Sequence, residues 1–306
     1  MGNSKLTGAT LVLGASSNIG QRLVSRLGRE NVIATFNRTP VQNGLHFDAR
    51  VMALSDLPIE PDQISNAVIL LGDTILDSVA SDQIRARALN VTALSKIIDQ
   101  LNSWDIKPIF TSTEVVYDGT GTLYDEESPA NPIVLYGQQK LEIERYIQAN
   151  FSDYVIFRLA RIYGDTPGDG TIFIDWAQKI LQGEKIICAN NQRFSPVYIE
   201  DVIDCLIAAI HGRLSGLYVL GGPVGLSRLE CLEMLIEAFG SKLKHPVDLE
   251  ICSILDFPAI EPRPLDTTVS SKLLETEIGI RFTEIKDVCE RIVTQISNAA
   301  DGEKQS

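Results

Sequence analysis

At 306 residues, 44% of them apolar, the chain can bury a large core and form one domain with a smaller lobe. Acidic residues outnumber basic ones, 40 to 27, for a formal charge of −13, and no basic run occurs, which argues against a nucleic-acid partner. No stretch nears the ~20 uninterrupted apolar residues of a membrane span, and residues 1–8 hold no secretory apolar core, so no membrane partner is expected and the cytoplasm is the expected location.

Apolar runs alternate with helix-length patterns, which predicts an α/β chain on a doubly wound parallel sheet. Strands are expected at 10–14, 32–36, 44–48, 67–72, 107–112, 154–159 and 217–220. Helices are expected at 18–28, 81–102, 136–149, 171–182, 199–212, 227–239 and 284–297. Residues 165–170, Asp-Thr-Pro-Gly-Asp-Gly, are expected to open a smaller, mainly helical lobe, completed after about 222, where Gly-Gly-Pro-Val-Gly breaks the last strand. The polar end, 299–306, is expected to be a flexible tail. Leu6 stands where a myristoylation signal carries Ser or Thr, which argues against that anchor. Cys188, Cys205, Cys231, Cys252 and Cys289 are scattered and odd in number, as reduced core thiols are. His46, His211 and His245 are equally dispersed, so no metal site is expected.

Chemistry enters at the first strand. Gly14-Ala15-Ser16-Ser17-Asn18-Ile19-Gly20 turns it into a helix, Gly14 permitting a tight turn and Gly20 a close helix-to-strand approach. The helix N-terminus is then free to receive a pyrophosphate; an ordinary strand-turn-helix connection is the plain structural alternative. The second strand ends in Asn37-Arg38. A carboxylate there suits the free ribose of NAD and an arginine suits a 2′-phosphate, so NADP(H) is the expected cofactor. Farther on, Tyr136 and Lys140 lie four residues apart on one helical face. An ammonium beside a phenol is expected to lower the tyrosine's pKa toward working pH, which makes a proton donor. Thr113 ends the strand Ile-Phe-Thr-Ser-Thr, where its hydroxyl could hold the same substrate oxygen.

Together these residues resemble the short-chain dehydrogenase/reductase superfamily. Thr113 and Tyr136 are 23 positions apart, similar to the extended, sugar-nucleotide branch. Residues 111–121, Thr-Ser-Thr-Glu-Val-Val-Tyr-Asp-Gly-Thr-Gly, resemble a segment of the dTDP-4-dehydrorhamnose reductases, and 157–164, 191–202 and 261–268 resemble later landmarks of that group. The resemblance implies a Rossmann domain over 1–165, completed by about 195–222, and a substrate lobe over 166–194 and 223–298. It implies a nicotinamide that gives hydride to a ketone while Tyr136 gives the proton, Lys140 bonds the nicotinamide ribose and Thr113 orients the carbonyl. Asn90 matches a helix asparagine that supports this lysine, or is a buried amide tying helix to sheet. Asp48 resembles the adenine-side aspartate, or is a strand-end turn residue. Arg263 resembles the arginine that grips a substrate diphosphate, Arg193 is a second candidate, and a surface ion pair is the alternative for both.

Departures from the group's pattern narrow the chemistry. Dehydratases of the extended branch have Thr-Asp-Glu where this chain has Thr113-Glu114-Val115, so a carboxylate survives at Glu114 but elimination loses its base. Fucose-pathway epimerase-reductases carry a cysteine at the position of Val115 and a later histidine, and this chain has no histidine between 47 and 210. Sugar 4-epimerases hold NAD, which fits poorly with Asn37-Arg38, although an epimerase stays an alternative. Ser17 replaces the middle glycine of the turn. Leu71-Gly72 replaces a pair of alanines after the fourth strand and adds bulk beside the cofactor. Arg161 replaces a tryptophan facing the sugar and implies a differently decorated or more anionic keto-sugar nucleotide. A reductase of a non-nucleotide ketone and a non-catalytic NADP-binding regulatory subunit also remain open, as does a homodimer through the Tyr136 helix, which the resemblance implies.

Overall fold

The computed structural model describes residues 8–243 and 245–303. The Leu6 position considered for lipid anchoring and residues 304–306 of the expected tail lie outside the described residues. Seven parallel strands form the central sheet: β1 (Ala9–Leu13), β2 (Val32–Phe36), β3 (Leu45–His46), β4 (Ile64–Ile69), β5 (Lys107–Thr113), β6 (Val155–Leu159) and β7 (Gly216–Leu220). Their order is β7-β6-β5-β4-β1-β2-β3, and every neighbouring pair is parallel. The order therefore reverses between β1 and β4, which opens a crevice at the carboxyl ends of the strands.

The inner strands β1, β4, β5 and β6 are buried on both faces, which is why they read as apolar runs rather than alternating ones. Val12, Val68, Ile109 and Phe157 point to one face, where α5 (Ile199–Ile210) packs Val202 and Leu206 upon them. Leu11, Leu13, Ile69 and Phe110 point to the other, against α2 (Leu94–Ser103) and α3 (Leu135–Asn150). The two sets follow the period of two that a strand imposes. α1 (Asn18–Leu27) links β1 to β2. A separate core joins Phe173 and Trp176 of α4 (Ile172–Gln182), Leu232 and Leu235 of α6 (Arg228–Phe239), and Val288 and Ile292 of α7 (Ile285–Glu303). Beside it lie a parallel pair, Ile186–Ala189 with Leu249–Cys252, and a three-stranded sheet in which Arg193–Phe194 runs between Leu226–Ser227 and Asp266–Thr267.

Two of the expected elements depart from their predicted bounds for clear reasons. The helix predicted over 81–102 is broken: Leu76–Ser81 ends, Asp82 caps a new turn by accepting from Arg85 N at 3.0 Å, and Ala88–Ala93 is a π turn leading into α2. The fourth strand begins at Ile64, not 67, because its polar residues find partners at the strand base. Ser65 donates to the Gly8 carbonyl, and the Asn66 amide to Ile210. Among the described residues no helix is long and apolar enough to cross a membrane.

The start of α3 lies hard against the short turn Glu114–Val116 that follows β5. A Cβ at Gly137 would drive into the Val115 carbonyl oxygen and sit 2.9 Å from the Pro132 Cβ, so only glycine lets the two segments meet. We predict that Gly137→Ala destabilises the fold by about 1–3 kcal/mol, as overpacking does. Urea unfolding measures it, and an unchanged midpoint would contradict the close contact.

Candidate active site

At the end of β1 the chain turns at Gly14, whose φ of 95° favours glycine. Gly20 faces this turn from α1, and a Cβ there would lie 2.5 Å from the Gly14 carbonyl oxygen. Ser17 points into the turn: its hydroxyl donates to the Gly14 carbonyl at 2.9 Å and accepts from Gly20 N at 3.0 Å. The serine replacing the middle glycine is thus the helix cap, and its bulk stays inside the turn. The Ser16 carbonyl accepts from Gln21, Asn18 accepts from Arg22 Nε at 3.2 Å, and Ile19 packs between two cores. The N–H groups of Ser16, Asn18 and Ile19 find no partner among the described residues. They form a cradle suited to a diphosphate. Asn37 and Arg38 follow β2, with Arg38 exposed. Asp48 is held by Arg50 at 2.8 Å, which pulls its carboxyl down to about 2. Leu71 is half-buried and packs on the sheet core.

Thr113, Tyr136 and Lys140 are all buried at this same edge. The Thr113 hydroxyl donates to Glu114 Oε2 at 3.0 Å and accepts from Val115 N at 3.3 Å. Lys140 Nζ donates to the Thr111 carbonyl at 2.8 Å and lies 5.8 Å from the centre of the Tyr136 ring. The expected lowering of the Tyr136 pKa is therefore corrected. Burial pushes the phenol up, and the nearby Glu114 and Asp73 carboxylates add to the rise. The lysine cannot offset them, because its ammonium is turned to Thr111 and burial lowers its own pKa to about 8, against the upward pull of Glu144. Asn90 sits in the π turn. It accepts from Asp73 N at 2.7 Å and donates to Gln139 at 2.9 Å, tying the Gly72-Asp73 loop to α3 beside Lys140.

One turn beyond Lys140, Glu144 is fully buried. It accepts from Arg158 Nη2 at 2.7 Å and from the Ser112 hydroxyl, while Arg158 Nη1 donates to the Tyr117 hydroxyl at 3.0 Å. Sequence reasoning missed this network. Its signal was the spacing of Tyr136, Lys140 and Glu144 along one face of α3.

Beyond Thr113 a cavity of about 380 Å³ is lined by Glu114, Val115, Gln192, Arg161, Arg228 and Arg263. Burial raises the Glu114 pKa against the attraction of Arg161. Arg263 Nη2 pairs with Asp77 at 2.6 Å, while among the described residues neither its buried Nη1 nor the buried Gln192 carbonyl oxygen has a partner. Arg161 lies over the Phe194 ring at 5.5 Å. Arg228 lies over Trp176 at 5.8 Å and Phe257 at 5.6 Å. Arg193 requires correction: it is not among the residues lining this cavity, because Glu230 at 3.2 Å, Asp266 at 3.8 Å and the Gly225 carbonyl at 3.0 Å hold it within the three-stranded sheet. Arg228 was not legible beforehand, as a lone arginine opening an amphipathic helix carries no signal.

The low pKa of Lys140 has a measurable sign. Between about pH 8 and its ordinary 10.5 the folded chain binds fewer protons at this site than the unfolded one. Folding stability is therefore expected to rise with pH through that window, by on the order of 3 kcal/mol relative to Lys140→Met. Paired denaturation curves at pH 7.5 and 10 measure it; a constant gap between wild type and variant would refute the burial of the charge.

Comparison with known proteins agrees with this architecture. The model of the RmlD substrate binding domain matches residues 8–298. The chain is similar to methionine adenosyltransferase 2 subunit beta of Xenopus tropicalis, 28% identical over 67% of this chain and 62% of that one. It is also similar to dTDP-4-dehydrorhamnose reductase of Salmonella typhimurium, 27% identical over 69% and 72%. Its fold is similar to the crystal structure of dTDP-4-dehydrorhamnose reductase from Bacillus anthracis in complex with NADP, with a TM-score of 0.77 and 19% identity over 94% of this chain and 99% of that one. The protein belongs to the RmlD substrate binding domain family, within the extended short-chain dehydrogenase/reductase group that its motifs resemble.

Proposed function

We propose that the protein is an NADPH-dependent reductase of a keto group, of the 4-keto-6-deoxy kind, on a nucleotide-linked sugar. The observation that carries this reading is that Thr113, Tyr136 and Lys140 are buried next to Glu114 and Val115, which line a cavity together with three arginines. Residues 1–165, completed by about 195–222, hold the cofactor, and 166–194 with 223–298 hold the substrate. The N–H groups of Ser16, Asn18 and Ile19 would take the cofactor's diphosphate, Asn37 and Arg38 the phosphorylated ribose, and Asp48 the adenine side, with Leu71 and Gly72 also contacting it. Lys140, steadied through Asn90 and Gln139, bonds the nicotinamide ribose. When bound, the cofactor supplies hydride to the ketone carbon.

The protein's residues manage the proton. Burial and the neighbouring carboxylates keep Tyr136 protonated, the form that can donate to the carbonyl oxygen. The Thr113 hydroxyl, whose hydrogen now goes to Glu114 Oε2, can turn that hydrogen to the substrate oxygen and orient the carbonyl. Val115 lines the cavity where a dehydratase places its base, which leaves reduction without elimination. Similarity to the methionine adenosyltransferase subunit favours a second reading, a regulatory NADP-binding protein. The complete Thr113, Tyr136 and Lys140 set supports catalysis over that reading. Such a reductase works in the cytoplasm, and a homodimer through α3 would join its exposed, polar face of Gln138, Glu142 and Arg145.

Assay of NADPH oxidation with dTDP-, GDP-, UDP- and CDP-linked 4-keto sugars is expected to find one substrate. Tyr136→Phe should reduce its turnover at least about a hundredfold while NADPH still binds. Undiminished turnover in the variant would sink the assignment, and uniform inactivity of the wild type would sink the nucleotide-sugar reading. Arg38→Asp should reverse the preference between NADPH and NADH; an unaltered kcat/KM ratio would remove Arg38 from the ribose site.

A further inference from the structure

We propose that Arg161 and Arg228 are the clamp for the substrate diphosphate, and that the nucleoside lies beyond them in a second cavity. This rests on the nucleotide-sugar reading. The second cavity, about 450 Å³, is lined by Gly168, Gly170, Thr171 and Gln178, and it shares Arg161 and Arg228 with the first. The two guanidiniums therefore form the wall between a compartment that contains Glu114, next to the reacting hydroxyls, and one remote from them. A nucleotide sugar has the same order of parts: sugar, diphosphate, nucleoside.

Charge singles out the same pair. Arg263 is matched by Asp77, and Arg193 by Glu230. Neither Arg161 nor Arg228 comes within 4.0 Å of a carboxylate among the described residues, and Arg228 Nε is buried without a partner. The carboxylates that face them are otherwise engaged: Glu114 by Thr113 and Asp175 by Lys179 at 2.9 Å. Burial and the charge of Arg161 both lower the Arg228 pKa, the mark of two like charges with no anion between them. The Phe194, Trp176 and Phe257 rings hold the guanidiniums by their faces, which leaves the N–H edges to meet phosphate oxygens. Arg161 then serves the diphosphate and needs no extra anion on the sugar. Arg263, already neutralised, keeps one N–H for a sugar hydroxyl.

The test is calorimetric titration of dTDP, UDP, GDP and CDP into the full chain and into Arg161→Met, Arg228→Met and Arg263→Met, with NADP binding as the check that each variant folds. The wild type should bind at least one diphosphate. Arg161→Met and Arg228→Met should each weaken it by about ten- to a hundredfold, as loss of a charge-assisted hydrogen bond does, and Arg263→Met by clearly less. Binding that survives both Arg161→Met and Arg228→Met but is lost in Arg263→Met overturns the clamp alone. Failure of the wild type to bind any of the four overturns the clamp together with the nucleotide-sugar reading.

Discussion

The site depends on one buried carboxylate. Glu144 of α3 takes hydrogen bonds from Ser112 on β5 and Arg158 on β6, so a single side chain sets the height and rotation of α3 over two strands. Tyr136 and Lys140 lie two turns and one turn before it, and their positions follow from that anchor. A buried ion pair of this kind contributes little net stability, because desolvating both partners offsets their attraction. Its value here is geometric. Arg158 also reaches Tyr117, whose ring stacks on Tyr124 at 4.4 Å, so the loop after Thr113 is held by the same network.

A second theme is that burial is the largest influence on Tyr136, Lys140 and Glu114. It lowers Lys140 and raises Tyr136 and Glu114, in each case toward the neutral form. Burial thus weakens the charged forms at this end of the site, while Arg161, Arg228 and Arg263 lie farther out in the cavity.

Much of this was readable from residues alone. The β1 turn carried its signal in Gly14 and Gly20, and the parallel strands showed as unbroken apolar runs because both of their faces are covered. Less was readable where a partner distant in sequence decides the outcome. The π turn around Asn90 depends on contacts with Asp73 and Gln139, which no helical period reveals. The direction of the Tyr136 shift depends on Glu114 and Asp73 and on how Lys140 turns, whereas spacing along α3 shows only that phenol and lysine share a face. Arg193 and Arg228 illustrate the same limit in opposite directions: one lies in a suggestive motif but is consumed by Glu230 and Asp266, the other lies in no motif and lines two cavities. The strands Ile186–Ala189 and Leu249–Cys252 were missed because each is only four residues long, and only their mutual pairing makes them strands.

The burial of Tyr136 also bears on which way the chemistry runs. On the proposed reading, reduction would begin from the phenol and oxidation from the phenolate, and the surroundings of this side chain favour the first. Without altering the equilibrium between ketone and alcohol, such a protein would be ready for one approach to it and would first have to lose a reluctant proton for the other. That preference arises first from burial of the ring, and the Glu114 and Asp73 carboxylates add to it.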